Sequence, residues 1–171
     1  HDCPTQGLQT KAARRWLSEL TVPAIDRLEL NQLLARWELL EEHLAEVNTQ
    51  IRAMLETQPS AQLVSTTPGL SGYSGLAVAC RIGDIRRFPK PASLANYFGL
   101  TPSSRNSGDS GQRLGSITKD GSSLVRFLLG QAVMHVLRRD PIMRAWYQGV
   151  TRRRGEKIAR VAVMRRITTA L

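Results

Sequence analysis

The chain has 171 residues, 42% of them hydrophobic and 22% charged, with a formal net charge of +10. That length suits one ordinary domain or two small modules, and that balance belongs to a folded protein rather than a disordered one. No apolar run approaches the roughly 20 residues that span a bilayer and no signal peptide is visible, so no membrane partner is expected, and a cytoplasmic location is.

Two cysteines, Cys3 and Cys80, lie far apart, and His43 and His135 each stand alone in helix-like segments. Neither a zinc site nor a structural disulfide is expected from that spacing. The first residue is His1, which reads as the start of a fragment of something longer. Charge is unevenly spread. Residues 1–80 hold six Lys/Arg and nine Asp/Glu, a net of −3, whereas residues 81–171 hold eighteen and five, a net of +13. Such asymmetry points the second half toward a polyanion, most simply nucleic acid. The plain alternative is a basic surface that serves only solubility.

In chain order, "KAARRWLSEL" at 11–20 predicts a short helix. Leu30, Leu33, Trp37, Leu40, Leu44, Val47, Ile51 and Met54 then recur at alternating steps of three and four, a heptad seam. A helix from about residue 26 to 57 would be roughly 45 Å long. Its narrow stripe needs a partner, either another helix of this chain or a second copy in a coiled coil. Pro59 and "PSAQ" are expected to end that helix.

Pro68, Gly69 and Gly72 predict a tight turn, and Leu76 to Ile82 a helix closed by Gly83. Helix, Pro-Gly turn, helix is the pattern of a helix-hairpin-helix, in which turn amides hold a DNA phosphate. A Pro-Gly turn between two core helices would read much the same. "KPASLANYFGL" at 90–100 predicts another short helix, with Ser93 as a cap or first-turn residue. "RNSGDSGQRLGSITKDGSS" at 105–123 is too poor in hydrophobes to form a core element. "SSLVRFLLGQAVMHVLRR" at 122–139 predicts a helix opened by a serine cap. Asp140-Pro141 then caps and starts the next. A basic turn, "TRRRGEK", precedes the last helix, and Trp16, Trp37, Trp146 and Tyr147 are read as packing residues. No period-two strand is evident, and the expected fold is all-α. It comprises a helical, coiled-coil region over 1–60 and a small helical domain over 61–171 carrying the Gly/Ser-rich loop.

The marks "TPGLSGYSG", "IGDIRRF", "YFGLTP", the Ser107-Gly108 pair, "RLGSITKDG" and "RRGEKIARVAVMRR" occur in order over about 63–171. Together they resemble the C-terminal domain of the insertion-sequence 110 / 116 / 902 transposase family, and the heptad helix is similar to that family's coiled-coil region. The resemblance implies a DNA transposase whose RuvC-like N-terminal half holds divalent metal, expected to be Mg, on four acidic residues. The C-terminal half supplies a serine nucleophile, and a structured guide RNA chooses the DNA. The nucleophile then falls on Ser107. A second serine that the family often has just before it is Asn106 here, which favours Ser107, and Ser110 is the alternative. A glutamate common near the start of the loop is replaced by Ser104.

A hydroxyl needs a base or metal to take its proton, and the attacked phosphate needs cationic or N–H donors. Arg105, Arg113 and Lys119 flank the serine, while Asp109 and Asp120 are isolated. Metal and base are therefore expected from the missing half, and this fragment alone is expected to be inactive. Gly69, Gly72, Arg152, Arg153, Arg154 and Lys157 are the remaining candidates for phosphate contact. Against this stand two other readings, a non-catalytic DNA- or RNA-binding module and an oligomerisation piece.

Overall fold

The computed structural model describes residues 7–8, 10–104 and 114–171. Among them are eight α-helices: α1 Lys11–Glu19, α2 Ala24–Thr57, α3 Pro59–Ser65, α4 Tyr73–Ile82, α5 Pro91–Tyr97, α6 Ser123–Arg139, α7 Pro141–Arg154 and α8 Glu156–Ala170. A 3-10 turn spans Ile85–Arg87, and two short strands, β1 Pro102–Ser104 and β2 Leu114–Ile117, pair antiparallel. The all-α expectation therefore holds, with two corrections. Pro59 does not merely stop α2; it occupies the first turn of α3, where its missing N–H has no helical partner to lose. The hairpin was not expected, because strands as short as Pro-Ser-Ser and Leu-Gly-Ser-Ile show no alternation of apolar side chains.

The chain divides into two compact units, His1–Gln50 and Ile51–Leu171. In the first, Thr10 caps α1 by accepting from the Ala13 amide at 3.1 Å, and Arg27 donates to the carbonyls of Leu17 and Ser18 at its other end. Arg14 lies 5.1 Å from the centre of the Trp37 ring. It grips Glu41 with two hydrogen bonds of 2.6 and 2.7 Å, and the Trp37 indole donates to the same carboxylate. Those Arg14 bonds hold the Glu41 carboxyl below its ordinary pKa. The clasp accounts for Trp37 alone within the heptad stripe. Leu33, Leu40, Leu44 and Val47 stay 56%, 52%, 61% and 54% exposed, and no residue of α2 is buried.

The second unit has a continuous apolar core. Leu70, Val78, Leu94, Phe98, Leu100, Val125, Leu129, Val133 and Val163 are essentially inaccessible, and Ile51 and Leu55 from the end of α2 pack against them. Helix α8 packs on α5, α6 and α7, while α4 packs on α3 and α6. Full burial of a side chain such as Phe98 stabilises by about 1.5–3 kcal/mol. The helix ends follow local rules. Ser122 accepts from the Val125 amide to open α6, and Asp140 accepts from the Met143 amide to open α7 behind Pro141.

Helix α5 ends in a Schellman turn. Gly99, at φ +64°, donates to the Asn96 carbonyl, and Leu100 donates to that of Ala95. The turn presses Phe98 and Gly99 against residues 119–121. A Cβ on Gly121 would lie 2.6 Å from the Phe98 Cα and closer still to the Tyr97 carbonyl oxygen. Gly121→Ala should therefore cost about 1–3 kcal/mol through overpacking against backbone that cannot yield. A methyl group on Gly149, inside α7, would meet no atom within 4 Å. Gly149→Ala should gain about 0.5–1 kcal/mol from helix propensity. Guanidinium unfolding of the two variants checks the contrast, and equal effects would show that the crossing is not tight.

Candidate nucleic-acid interface and serine hairpin

The Gly/Ser-rich stretch is mounted on the hairpin. Pro102 pairs with Ile117 and Ser104 with Leu114, with an irregularity between them. Below the strands the ladder continues: Thr118 donates to the Thr101 carbonyl at 3.0 Å and Lys119 to that of Gly99 at 3.2 Å. Across the strands the Ser103 hydroxyl donates to the Ser116 carbonyl at 3.0 Å. Residues 105–113 join the strands, and Arg105, Ser107, Ser110 and Arg113 lie outside the described residues. Lys119 is exposed at the hairpin base, with φ +61°.

Beside that base lies an open groove of about 700 Å³, lined by Arg81, Asn96, Tyr97 and residues 120–124 at the start of α6. Tyr97 also belongs to an aromatic stack. Its ring centre is 5.3 Å from that of Phe88, and the Arg87 guanidinium lies 4.6 Å from the Tyr97 centre and 4.8 Å from that of Phe88.

The other sequence candidates occupy two further turns. Gly69, at φ +86°, and Gly72, at φ +56°, fall together in the α3–α4 connection. A Cβ on Gly69 would meet the Ala132 Cα at 2.7 Å and the His135 Cβ at 3.0 Å, so close packing on α6 accounts for that glycine. Gly72 faces open space and is the N-cap of α4. Arg152, Arg153 and Arg154 form the exposed last turn of α7, where cations meet the negative end of the helix dipole. Gly155, at φ +85°, turns the chain, and Lys157 is exposed in the first turn of α8. Arg153 donates to the Gly149 carbonyl; Arg152, Arg154 and Lys157 form no described ion pair.

Residues 61–148, from α3 through the hairpin to α7, match the model of the transposase IS116/IS110/IS902 family. The chain belongs to that family. It is 30% identical over 138 residues to a "Probable family 20 transposase" of Pseudomonas aeruginosa, covering 78% of this chain and 40% of that protein. It is 28% identical over 127 residues to the transposase for insertion sequence element IS1111A of Coxiella burnetii, covering 72% and 35% respectively. A putative transposase of Sinorhizobium fredii is 41% identical over 61 residues, which are 36% of this chain and 15% of that protein. The chain thus spans less than half the length of these relatives.

In this transposase-family chain, several cations that the charge count treated alike do internal work. Arg126 donates through one nitrogen to the carbonyls of Gly121, at 2.6 Å, and Phe98, at 3.2 Å. Arg144 donates to the carbonyls of Leu137 and Arg138 and so closes the end of α6. Arg160 donates to the Gly130 carbonyl, and Arg166 stacks 3.8 Å from the centre of Trp146. Arg126 was not among the sequence candidates, although a signal was present. A cation near the start of an apolar helix opposes the helix dipole and needs another reason to be there.

Among the described residues, no three metal-ligating side chains converge. Asp84 is engaged by Arg86 at 3.0 Å, which holds its carboxyl below the ordinary range, and Asp120 is exposed at the hairpin base. The divalent metal implied by the resemblance does not fit this donor set.

Proposed function

We propose that this chain is the C-terminal part of a transposase that cuts and rejoins DNA through a serine of the 105–113 loop, Ser107 first and Ser110 as the alternative. The observation that carries the reading is that the family match covers the whole hairpin, whose base is fixed by backbone ladder and close packing. In the step itself, the serine Oγ forms a bond to phosphorus while the P–O bond to one deoxyribose breaks. The serine proton passes to a base, and the departing sugar oxygen takes up a proton. Arg105, Arg113 and Lys119 supply positive charge to the phosphate. The metal-holding carboxylates and the base come from protein outside this chain, so the chain alone is inactive.

A radiolabelled DNA end incubated with the complete transposase should give a denaturant-stable protein–DNA adduct. Ser107→Ala should reduce it by on the order of a hundredfold or more. Loss in Ser110→Ala instead would move the nucleophile. Absence of any adduct from the active protein would favour a non-catalytic binding module.

DNA, and a structured guide RNA as the family resemblance implies, are the partners proposed for the basic residues. Arg152, Arg153, Arg154 and Lys157 present their charge at one turn, and the amides around Gly72 and the start of α4 offer a further phosphate contact. Replacing Arg152, Arg153 and Arg154 by alanine should weaken DNA binding across sequences. It should also flatten the log–log salt dependence by about 0.9 per lost contact. An unchanged slope would leave the run as a solvated helix end.

A second copy of this chain is the partner proposed for α2. The heptad spacing and the exposure of Leu33, Leu40, Leu44 and Val47 support a coiled coil. Leu40→Asp with Leu44→Asp should convert the oligomer to a monomer by light scattering, with helix content of the second unit retained. A wild-type monomer at all concentrations would remove this partner.

A further inference from the structure

We infer that Arg126 is the positioning residue of the serine hairpin, a cation reserved for the protein's own backbone rather than for DNA. The inference rests on the serine-loop reading above and assigns the part of the fold that holds the loop on its mount. The two ends of the hairpin leave the core at Phe98–Gly99 and at Lys119–Gly121. The Arg126 guanidinium reaches both ends, donating to the Phe98 and Gly121 carbonyl oxygens. Those oxygens belong to residues that the lack of a side chain at Gly99 and Gly121 already brings into contact. A Cβ on Gly99 would lie 2.7 Å from the Asp120 nitrogen, and one on Gly121 would lie 2.6 Å from the Phe98 Cα.

Arg126 itself is anchored. It is half-buried on α6, between the fully buried Val125 and the buried Leu128, and its amide donates to the Ser122 carbonyl in the first turn. It forms no ion pair among the described residues. The nucleophile, whichever serine of the loop serves, is carried on two chain ends that this one side chain ties to a core helix. Both bonds leave one nitrogen of a rigid, planar guanidinium, whereas an ammonium sits at the end of a shorter, flexible stem. Lysine at this position keeps the charge but cannot hold both carbonyls with the same geometry.

The test compares Arg126→Lys and Arg126→Gln with the unsubstituted complete transposase, using a radiolabelled DNA end at saturating concentration. Arg126→Lys should slow adduct formation by on the order of tenfold to a hundredfold, as expected for a misplaced reacting group. Its DNA affinity should change less than about twofold and its salt slope should stay the same, because no phosphate contact is lost. A normal rate with a weakened affinity and a flatter salt dependence would overturn the inference and make Arg126 a phosphate ligand.

A second readout, amide hydrogen exchange in the 171-residue chain, stands apart from activity. Both variants should exchange faster at Thr118 and Lys119, whose amides close the hairpin base, while the α6 core amides of Leu129 and Val133 keep their protection. Unchanged exchange at Thr118 and Lys119 would also overturn it. The Ser107→Ala and Ser110→Ala controls separate the two claims. Loss of the adduct in either leaves the Arg126 comparison valid, since both serines ride the same loop. No adduct from any protein defeats the serine-loop reading, and the exchange result then decides the clamp alone.

Discussion

The second unit depends on one backbone crossing. Where α5 ends, Phe98 and Gly99 run against residues 119–121 at separations that admit no side chain at Gly99 or Gly121. Phe98 is at the same time wholly buried in the core, so the crossing cannot drift without opening the interior. Four features meet there: the Schellman turn of α5, the hairpin ladder, the start of α6 and the groove lined by Tyr97 and Asn96. A polar loop needs such a mount if it is to do chemistry, because effective catalysis demands placement within a fraction of an ångström. Glycine supplies the close approach, and Arg126 donates to the Phe98 and Gly121 carbonyls on its two sides.

The basic half of the chain is two populations of cations. Arg126, Arg144 and Arg160 are bound to main-chain carbonyls, and Arg87 and Arg166 lie on aromatic rings. Arg86 is tied to Asp84. These arginines each have a partner within the protein, and arginine suits them because a planar guanidinium can cap a helix end or stack while remaining charged. Arg152, Arg154 and Lys157 belong to the other population, exposed and without described carboxylate partners. Net charge overstates the surface available to a polyanion, yet what remains is concentrated at turns and helix ends, where backbone dipoles reinforce or permit it.

What sequence revealed follows from how local each feature is. The caps at Ser122 and Asp140 and the periodicity of α2 and α6 are written in adjacent residues, and they appear where expected. The hairpin was not legible, because β1 and β2 owe their pairing to the crossing beneath them rather than to apolar alternation. Helix α3 was hidden for a similar reason: Pro59 reads equally as a stop for one helix and a start for another. Of the site, Lys119 and the basic turn are on the surface as the residue types suggested. Gly69 is explained by a contact with Ala132 and His135, far along the chain on α6, which no local pattern encodes. Ser107 was singled out by family likeness, Ser110 as another serine before a glycine, and Arg105 and Arg113 as flanking cations; all four lie outside the described residues.

The contrast between the two units carries the last step. The second unit buries its large apolar side chains around Phe98, Leu129 and Val163 and needs nothing further to be a stable body. Among the described residues of the first, Ala13 alone is fully buried, and α1 is held to α2 through Arg14, Trp37 and Glu41. A single ion pair near the surface holds one helix against another only weakly. A leucine stripe left that open is disfavoured in water by about 25 cal/mol for every Å² of apolar surface that a partner could cover. Of the positions that flank the stripe, Glu29, Arg36 and Glu41 are charged, and such positions are where a coiled coil keeps its charges. An unfilled seam in the same chain as a finished core is what a protein needs if one part is to assemble and the other to hold a loop still.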